Sequence, residues 1–558
     1  MNGWSRGCHD PSAALLRDGE LVCAVEEERL LRRKHALDRL PHLAIDYCLG
    51  AAGITAAEID HVAVGWDGNH LLAYSTGRPH AQASEGVLRE VYLPHSLFPE
   101  RGDRAMPVTC VDHHRAHAAG AFAASGFREA LVVVIDGSGE YESTTLLRAS
   151  AGGRLELLRR YPFSCSIGLL YDALTLYLGF GRFHHGKVMG LAAHGTPRFE
   201  LPDLDLDAEA PPRDPARRDH EQAVVDHWLR TFESLTGRGT LTHPRTRQVD
   251  DGLRRSDASE PSAQHRDLAA SAQAWLEQQV CRLVRHGVAL CGLHDVVITG
   301  GVGLSCPANF RVLGLPEVDR VYVPSAPGDA GVSLGAACAV SWAAGVEPRL
   351  DDAHCYAGPS ASDAQVAALL RRCGLTALQV DEPARVVADE LLRGRVVAWF
   401  HDGLELGPRA LGHRSILASP LELETRHRVN RIKGREPWRP LAPSVLAEST
   451  TDHFEGDPHS PFMSFSAPVR EATARRAPAI VHEDGTARLQ TVHRDTTPAF
   501  WTAIDAFGRD SGLPIVMNTS FNVGPEPLVC SPLDALRTFW ASGLDTLVLE
   551  SFVLRKDG

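Results

Sequence analysis

The sequence predicts an α/β protein of two domains, and three of its features carry that prediction. Short β-branched runs alternate with helix-forming stretches over the first 200 residues. Several of these runs end in Asp or Gly, as strands do where they feed ligand-binding turns. Near Gly345–Ser362 the chain becomes Pro/Gly-rich and loses its periodicity, and a second α/β pattern opens at "RVVAWFHDG". A boundary there divides residues 1–350 from 351–558.

The elements follow in order. "GELVCAVEEERL" passes from a Gly turn through an apolar run into a charged helix start. "HVAVGWD" and "ALVVVIDGSG" predict strands that end in acidic, Gly-rich turns. "VDHHRAHAAGAF" puts His113 and His117 four apart, hence on one face of a helix. Residues 201–265, with "DAEAPPRDPARRD", read as a surface insert carrying a short helix of its own. In "DLAASAQAWLEQQVCRLV" the apolar residues Leu268, Ala272, Trp275, Leu276, Val280 and Leu283 recur at helical spacing. "DVVITGGVGLS" and "VYVPSAPGDAGVSLGAA" each read as strand, Gly-rich turn and helix. No tandem repeat is present.

Composition narrows the function classes. A hydrophobic fraction of 44% with 23% charged residues is that of a soluble globular protein. The net charge of −13 argues against a nucleic-acid partner. Twelve cysteines without a C-x-x-C pair predict reduced thiols in a cytoplasmic protein, not a disulfide framework or a zinc ribbon. No apolar run reaches the ~18 residues of a membrane span, and no signal peptide is seen, so a membrane role is not expected.

The chemistry concentrates in two places. In the N-terminal half, "IDGSGE" (Asp136–Glu140), "TGGVG" (Thr299–Gly303) and "PGDAG" (Pro327–Gly331) are turns whose glycines admit phosphate oxygens and whose acids can hold a cation. Their order follows the phosphate and adenosine loops of the actin/sugar-kinase/Hsp70 superfamily. A histidine pair alone is more often structural than metal-binding. Joined to the acidic loops, His113, His117, Asp136 and Asp329 offer two imidazoles and two carboxylates, a set suited to Fe(II), Zn(II) or Mn(II). A metalloprotease is disfavoured, because His114 stands where H-E-x-x-H needs its glutamate.

In the C-terminal half, residues 405–439 hold eight Lys/Arg (409, 414, 426, 428, 431, 433, 435, 439) against four Glu. A charge run is by default a solvated face. Here "GPRALGHRSIL" and "RIKGREPWRPLAPSV" interleave the cations with Gly, Pro and Trp, which suits a small phosphorylated ligand. "RLQTVHRD" and "VMNTSFN" add Arg488, Asn518, Thr519, Ser520 and Asn522.

"HDPSAALL", "EEERLLRRKH", "HHRAHAAGAF", "IDGSGE", "SIGLLYDALTLYLGFG", "GKVMGLAAHG", "TGGVGLSCPANF" and "PGDAG" resemble the O-carbamoyltransferases of the nodulation-protein-U/cephalosporin carbamoyltransferase type. The opening "NGWSRGCHD" is most similar to the branch that carbamoylates aminoglycosides. The chain starts at "MNGWS", where the family usually has a few apolar residues first, so either a shortened first strand or a misassigned start codon is expected. The resemblance implies an N-terminal actin/Hsp70-like (ASKHA) domain similar to the threonylcarbamoyl-adenosine transferase subunit, and a C-terminal YrdC-like domain. It implies metal ligation by His113, His117, Asp136 and Asp329, with iron favoured. Nucleotide contacts would fall on Lys34, Asp136, Gly137, Ser138, Gly168, Lys187, Gly190, Gly300, Gly301, Asn309 and Asp329. Carbamoyl-phosphate contacts would fall on Arg409, Arg439, Arg488, Asn518 and Ser520.

The implied reaction consumes ATP, with Mg(II), and carbamoyl phosphate to make carbamoyl-AMP, with Arg439 at the adenylating site. The carbamoyl group then passes to a hydroxyl of a small molecule, an aminoglycoside or other sugar-containing antibiotic. His9, Asp10 and Lys34 are expected to line the transfer site. Asp10 and His9 are the candidates for the proton acceptor, and either also fits a helix cap. Four alternatives stand beside this reading: an ASKHA-type kinase or ATPase, a tRNA-modifying or hydrogenase-maturation carbamoyl enzyme (disfavoured by the acidic balance and the lack of Cys-rich zinc fingers), a non-sugar acceptor (ansamycin, cephem or nucleoside), and a nucleotide-sensing scaffold. A homodimer is compatible with all of them.

Overall fold

The computed structural model describes residues 9–68, 93–98, 106–210, 217–237, 239, 261–456 and 458–556. The chain forms two units: Met1–Leu31 with His35–Asp351, and Arg32–Lys34 with Asp352–Gly558.

The first unit opens with the antiparallel pair β1 (Ser12–Arg17) and β2 (Glu20–Glu26). Asp18 and Gly19 turn it at φ 51° and 86°, the positive values that a two-residue hairpin of this hand requires. The shortened first strand expected at the N-terminus falls on residues 1–8, outside the described residues. Next come the parallel pair β3 (Val62–Val64) and β4 (Val108–Cys110). The main sheet joins β5 (Glu129–Ile135), β6 (Thr144–Ser150), β7 (Arg154–Tyr161), β8 (Asp295–Thr299) and β9 (Arg320–Tyr322) in the order β7-β6-β5-β8-β9. Only β5, β8 and β9 run parallel. β5 is central, and Ala130 to Ile135 are fully buried, so its unbroken apolar run is a strand covered on both faces.

Helix His113–Ser125 crosses helix Val332–Ala343 at Gly120 and Gly335. A Cβ on Gly335 would lie 1.8 Å from the Ala116 carbonyl oxygen, so glycine there sets the helix spacing. Helix Ala263–Cys291 buries Leu268, Ala272, Trp275, Leu276, Val280 and Leu283, the face read from periodicity.

In the described part of segment 201–265 the helix is longer than the short one expected. Its helix Arg217–Thr236 spans 20 residues and buries Trp228 and Phe232. Phe232 lies 5.8 Å from the ring of Tyr177, and Trp228 lies 6.3 Å from Trp275. Two aromatics one helical turn apart supply a packing face that the surrounding charged residues mask in the sequence.

The second unit is a nine-stranded mixed sheet. Its strands are β10 (Leu378–Gln379), β11 (Val397–Phe400), β12 (Arg414–Ala418), β13 (Ala442–Leu446), β14 (Phe465–Pro468), β15 (Thr486–Val492), β16 (Ile515–Ser520), β17 (Thr546–Leu549) and β18 (Phe552–Arg555). Their order is β10-β18-β17-β11-β12-β16-β13-β15-β14. Helices Pro383–Leu392 and Pro498–Ser511 pack on it through Val387, Leu391, Phe500, Ile504 and Phe507 around the buried Trp399. Each begins with Pro at its first position, where no N–H is needed.

Candidate active site

The first unit gathers His113, His117, Asp136 and Asp329 into one cluster. Asp112 starts the histidine helix by accepting the N–H of Arg115 at 3.0 Å, and Gly126 ends it in the left-handed conformation. Asp136 follows β5, and Asp329 precedes helix Val332–Ala343. The two Nε2 atoms are 3.2 Å apart. Asp136 Oδ2 lies 3.5 and 3.3 Å from Nε2 of His113 and His117, and Asp329 Oδ1 lies 3.6 and 3.8 Å from them.

This donor set fits a divalent cation. His113 gives its Nδ1–H to the Gly65 carbonyl at 3.2 Å, which leaves the Nε2 lone pair facing the cluster. Asp136 Oδ2 is buried without a hydrogen bond. Burial works against a charged His113, yet Asp329 and Asp136 outweigh it and hold this imidazole well above its ordinary range. Burial likewise opposes ionised Asp136, and the two imidazoles overcome it and hold the carboxyl well below its ordinary range. Two buried carboxylates therefore demand positive charge between them, and one ion would satisfy all four groups.

His9 and Asp10 adjoin this cluster. Asp10 lies between two imidazoles, with His9 Nδ1 at 2.9 Å from one oxygen and His35 Nδ1 at 2.9 Å from the other. His9 Nε2 is 3.9 Å from Asp329 Oδ2. Burial opposes a charge on His9, but Asp329 and Asp10 push it up to about 9. Asp10 and His35 both have positive φ, 51° and 61°, a strain this hydrogen-bonded arrangement holds in place. Lys34 belongs to the second unit, where its charge bears on Lys433.

The glycine turns meet around Asp136. Its Oδ1 accepts the N–H of Gly137 at 2.7 Å and of Gly301 at 3.3 Å. Gly168, in the first turn of helix Ile167–Tyr177, leaves no room for a Cβ, which would fall 2.6 Å from Gly137 Cα. Gly300 has φ 86°, and its Cβ would fall 2.3 Å from the Ile135 carbonyl oxygen. Ser138 is half-buried in the same turn. Lys187 and Gly190 lie on helix His185–Ala192, with the Lys187 ammonium 5.7 Å from the Phe180 ring. Asn309 is buried beneath the turn, where its Nδ2 donates to the Gly303 carbonyl at 2.8 Å.

The basic run of the second unit divides by role. Arg414 is fully buried and structural, donating to the carbonyls of His401, His413 and Pro359 over the Phe400 ring. Arg428 and Arg431 pair with Asp545 and Glu424. Lys433, Arg435 and Arg439 instead converge with Arg488 of β15. Burial holds Lys433 well below its ordinary range, and Arg435, Arg439 and Lys34 add to the effect. Arg435 is lowered by burial, then by Arg439 and Arg488. Arg439 is lowered by burial and by Arg488, against Glu436. Recessed cations that disfavour one another's charge form a receptor for an anion.

Ser520 belongs to this group. Lys433 Nζ donates to its carbonyl, to its Oγ at 3.2 Å and to Asn522 Oδ1 at 2.9 Å. Asn518 is buried beneath, its Nδ2 shared among Ala410 O, Ser444 Oγ and Gln490 Oε1. Arg409 is half-buried on the loop that Asn518 braces at Ala410. Sequence reasoning did not single out Lys433, Arg435 or His35 as site residues. Lys433 and Arg435 stood within the counted run, and what sets Arg428 and Arg431 apart from them is an acidic partner for each, Asp545 and Glu424.

Among the described residues no helix is long and apolar enough to cross a membrane. A family model described as the carbamoyltransferase N-terminus matches residues 2–338, and one described as the carbamoyltransferase C-terminus matches residues 388–556. Nodulation protein NolNO of Sinorhizobium fredii is 37% identical over 98% of this chain and 79% of its own length. Nodulation protein U of Bradyrhizobium diazoefficiens is 28% identical over 96% and 95% of the two chains. Among solved structures, HypF of T. kodakarensis is 13% identical over 61% of this chain and 48% of that one, with a TM-score of 0.30, too low to carry fold or function across. With both halves of the chain matched by its models, the protein belongs to the carbamoyltransferase family of the nodulation-protein-U type and is a carbamoyl-transferring enzyme.

Proposed function

We propose that the enzyme activates carbamoyl phosphate as carbamoyl-AMP on the cation cluster of its second unit and transfers the carbamoyl group at the His/Asp cluster of its first. The observation that carries this reading is the convergence of Lys433, Arg435, Arg439 and Arg488, recessed cations that disfavour one another's charge and that a bound anion would stabilise together. A kinase reading accounts for the glycine turns of the first unit but leaves this cluster without a task.

A carbamoyl carbon is a poor electrophile because its nitrogen donates into the carbonyl, so transfer to an alcohol requires a good leaving group. Carbamoyl phosphate gives up its phosphoryl group to water, and the carbamate oxygen attacks the α-phosphorus of Mg(II)-ATP and expels pyrophosphate. Arg439, Arg488 and Arg409 bind the phosphate oxygens, while Lys433 holds Ser520 and Asn522 in place for the carbamoyl group. By family resemblance the first unit is the ASKHA-like domain and the second the YrdC-like one.

At the second centre, His113, His117, Asp136 and Asp329 hold a divalent first-row ion, Fe(II) by resemblance. When bound, it supplies a Lewis acid for acyl and phosphate oxygens and offsets the carboxylate charge that raises His9. Asp10 takes the Nδ1–H of His9, so the Nε2 of His9 receives the proton of the acceptor hydroxyl. The acceptor oxygen bonds to the carbamoyl carbon as the bond to AMP breaks. The acceptor is a sugar hydroxyl of a small molecule, with aminoglycosides the first class to test. Incubation with ATP, carbamoyl phosphate and a panel of glycosides, aminoglycosides and non-sugar alcohols, followed by mass spectrometry, should show a carbamoyl adduct on a sugar-bearing acceptor. Adducts confined to non-sugar alcohols would overturn the acceptor class.

A further inference from the structure

The metal cluster rests on a carboxylate that is not one of its ligands. Glu140, at the end of "IDGSGE", is fully buried. Its Oε1 accepts the backbone N–H of Asp67 at 2.8 Å and of His113 at 2.9 Å, and its Oε2 shares the His113 N–H at 3.0 Å. These two N–H groups belong to different segments, and both segments hold the same imidazole. His113 begins the helix that carries both histidine ligands. The segment 65–67 clamps the His113 ring: Gly65 O takes its Nδ1–H, and Trp66 stacks on it at 3.8 Å with 20° between planes. That clamp is itself fixed, since a Cβ on Gly65 would fall 2.1 Å from Val332 Cγ1.

Glu140 also lies four residues beyond Asp136, on a turn closed by Gly139 N–H to Glu142 O at 2.7 Å. Gly139 presses against His114, where a Cβ would come within 2.8 Å of the ring. One side chain thus ties together the loop of one ligand, the helix of two others and the clamp on His113. Asp112 already caps the helix, so a second carboxylate there is not needed for capping alone. We propose that Glu140 is a positioning residue of the metal centre, fixing His113 by bonding both to the helix that bears it and to the loop that clamps its ring. The inference rests on the metal reading above.

Reach and the carboxyl group can be separated. Glu140→Gln keeps an acceptor oxygen at the Oε1 position without the carboxyl group, whereas Glu140→Asp keeps the carboxyl group but is one methylene too short to reach both N–H groups. The probe is Co(II) alone, titrated into metal-free protein against a competing chelator, with the visible bands of Co(II) reading ligand geometry. Glu140→Gln should bind within a few-fold of wild type. Glu140→Asp and Glu140→Ala should bind about 10–100-fold more weakly, with altered bands, while circular dichroism shows them folded. Wild-type affinity in a folded Asp or Ala variant overturns the inference, and so does a Gln variant as weak as Ala, which would assign the effect to the carboxyl group rather than to its reach. Failure of both the Asp and Ala variants to fold assigns Glu140 to the fold and equally overturns a role specific to the metal. No Co(II) binding by wild type is a different result: it removes the metal reading itself.

Discussion

Replacing Gly335 with Ala tests how the metal cluster depends on helix spacing. Gly335 lies on the helix that follows Asp329 and meets Ala116, which sits between His113 and His117 on the other helix. An added Cβ would stand 1.8 Å from Ala116 O, and the helices must part by about 1.2 Å to restore the 3.0 Å minimum that real contacts keep. Parting them separates the histidine pair from Asp329. First-row metal–ligand bonds of about 2.0–2.2 Å tolerate errors of only about 0.2 Å, so the displacement is several times too large. Overpacking of this kind costs about 1–3 kcal/mol of stability. Co(II) affinity should fall at least ~10-fold, as it does when metal-site supports are lost. The control is Gly50→Ala on helix His42–Ala52, where nothing lies within 4 Å of the new Cβ. That variant should be unchanged or more stable by up to about 1 kcal/mol. Thermal melts and Co(II) titrations read both variants. A folded Gly335→Ala protein with wild-type Co(II) affinity would refute the reasoning.

The half-reactions should separate by mutation. Arg439→Ala should reduce carbamoyl-phosphate-dependent pyrophosphate release by ~10²-fold or more, since a charge-assisted contact at a desolvated site is lost. His117→Ala should retain that release and fail in carbamoyl transfer; equal damage to both steps in both folded variants would contradict the division of labour. Asn518→Ala should destabilise the protein by about 1–3 kcal/mol, because Ala410 O, Ser444 Oγ and Gln490 Oε1 lose a buried donor. Unchanged melting with lost activity would instead make Asn518 a direct ligand contact. His482 is pushed down to about 4 by burial, with Arg488 and Arg426 adding to the effect. Its folded-state value lies below the unfolded value of about 6.5, so its contribution is present above pH 6.5 and is lost as pH falls toward 4. His482→Gln should therefore flatten the fall in melting temperature between pH 6.5 and 4, and an unaltered slope would remove His482 as its source.

Strands and turns were legible where hydrophobic pattern and glycine chemistry agree. "ALVVVIDGSG" reads as a buried strand and turn because it holds no charge between Ala130 and Ile135, and the structure places it at the sheet centre. The His113/His117 face follows from helical spacing, and the cluster brings both carboxylates to it. Other features depend on tertiary contact that no local pattern encodes. Glu140 looks like any turn acid until the helix start and the segment 65–67 fold onto it. Lys433 and Arg431 are alike in sequence, yet one is buried among oxygens and the other pairs with Glu424 at the surface. Asn518 carries the residue type of a ligand contact, but its Nδ2 is already shared between Ser444 Oγ and Gln490 Oε1, which leaves only its buried Oδ1 unbonded. The segment 201–265 misled for the converse reason, because its charged flanks concealed Trp228 and Phe232 one turn apart.

In the function proposed above, the second unit makes a carbamoyl-adenylate rather than transferring the terminal phosphoryl group of ATP. Phosphorus NMR of the enzyme with Mg(II)-ATP and carbamoyl phosphate tests it most directly, run with and without an acceptor. Pyrophosphate and phosphate are expected from both runs, dependent on carbamoyl phosphate, with AMP appearing as the carbamoyl group is transferred. ADP as the main nucleotide product would contradict it.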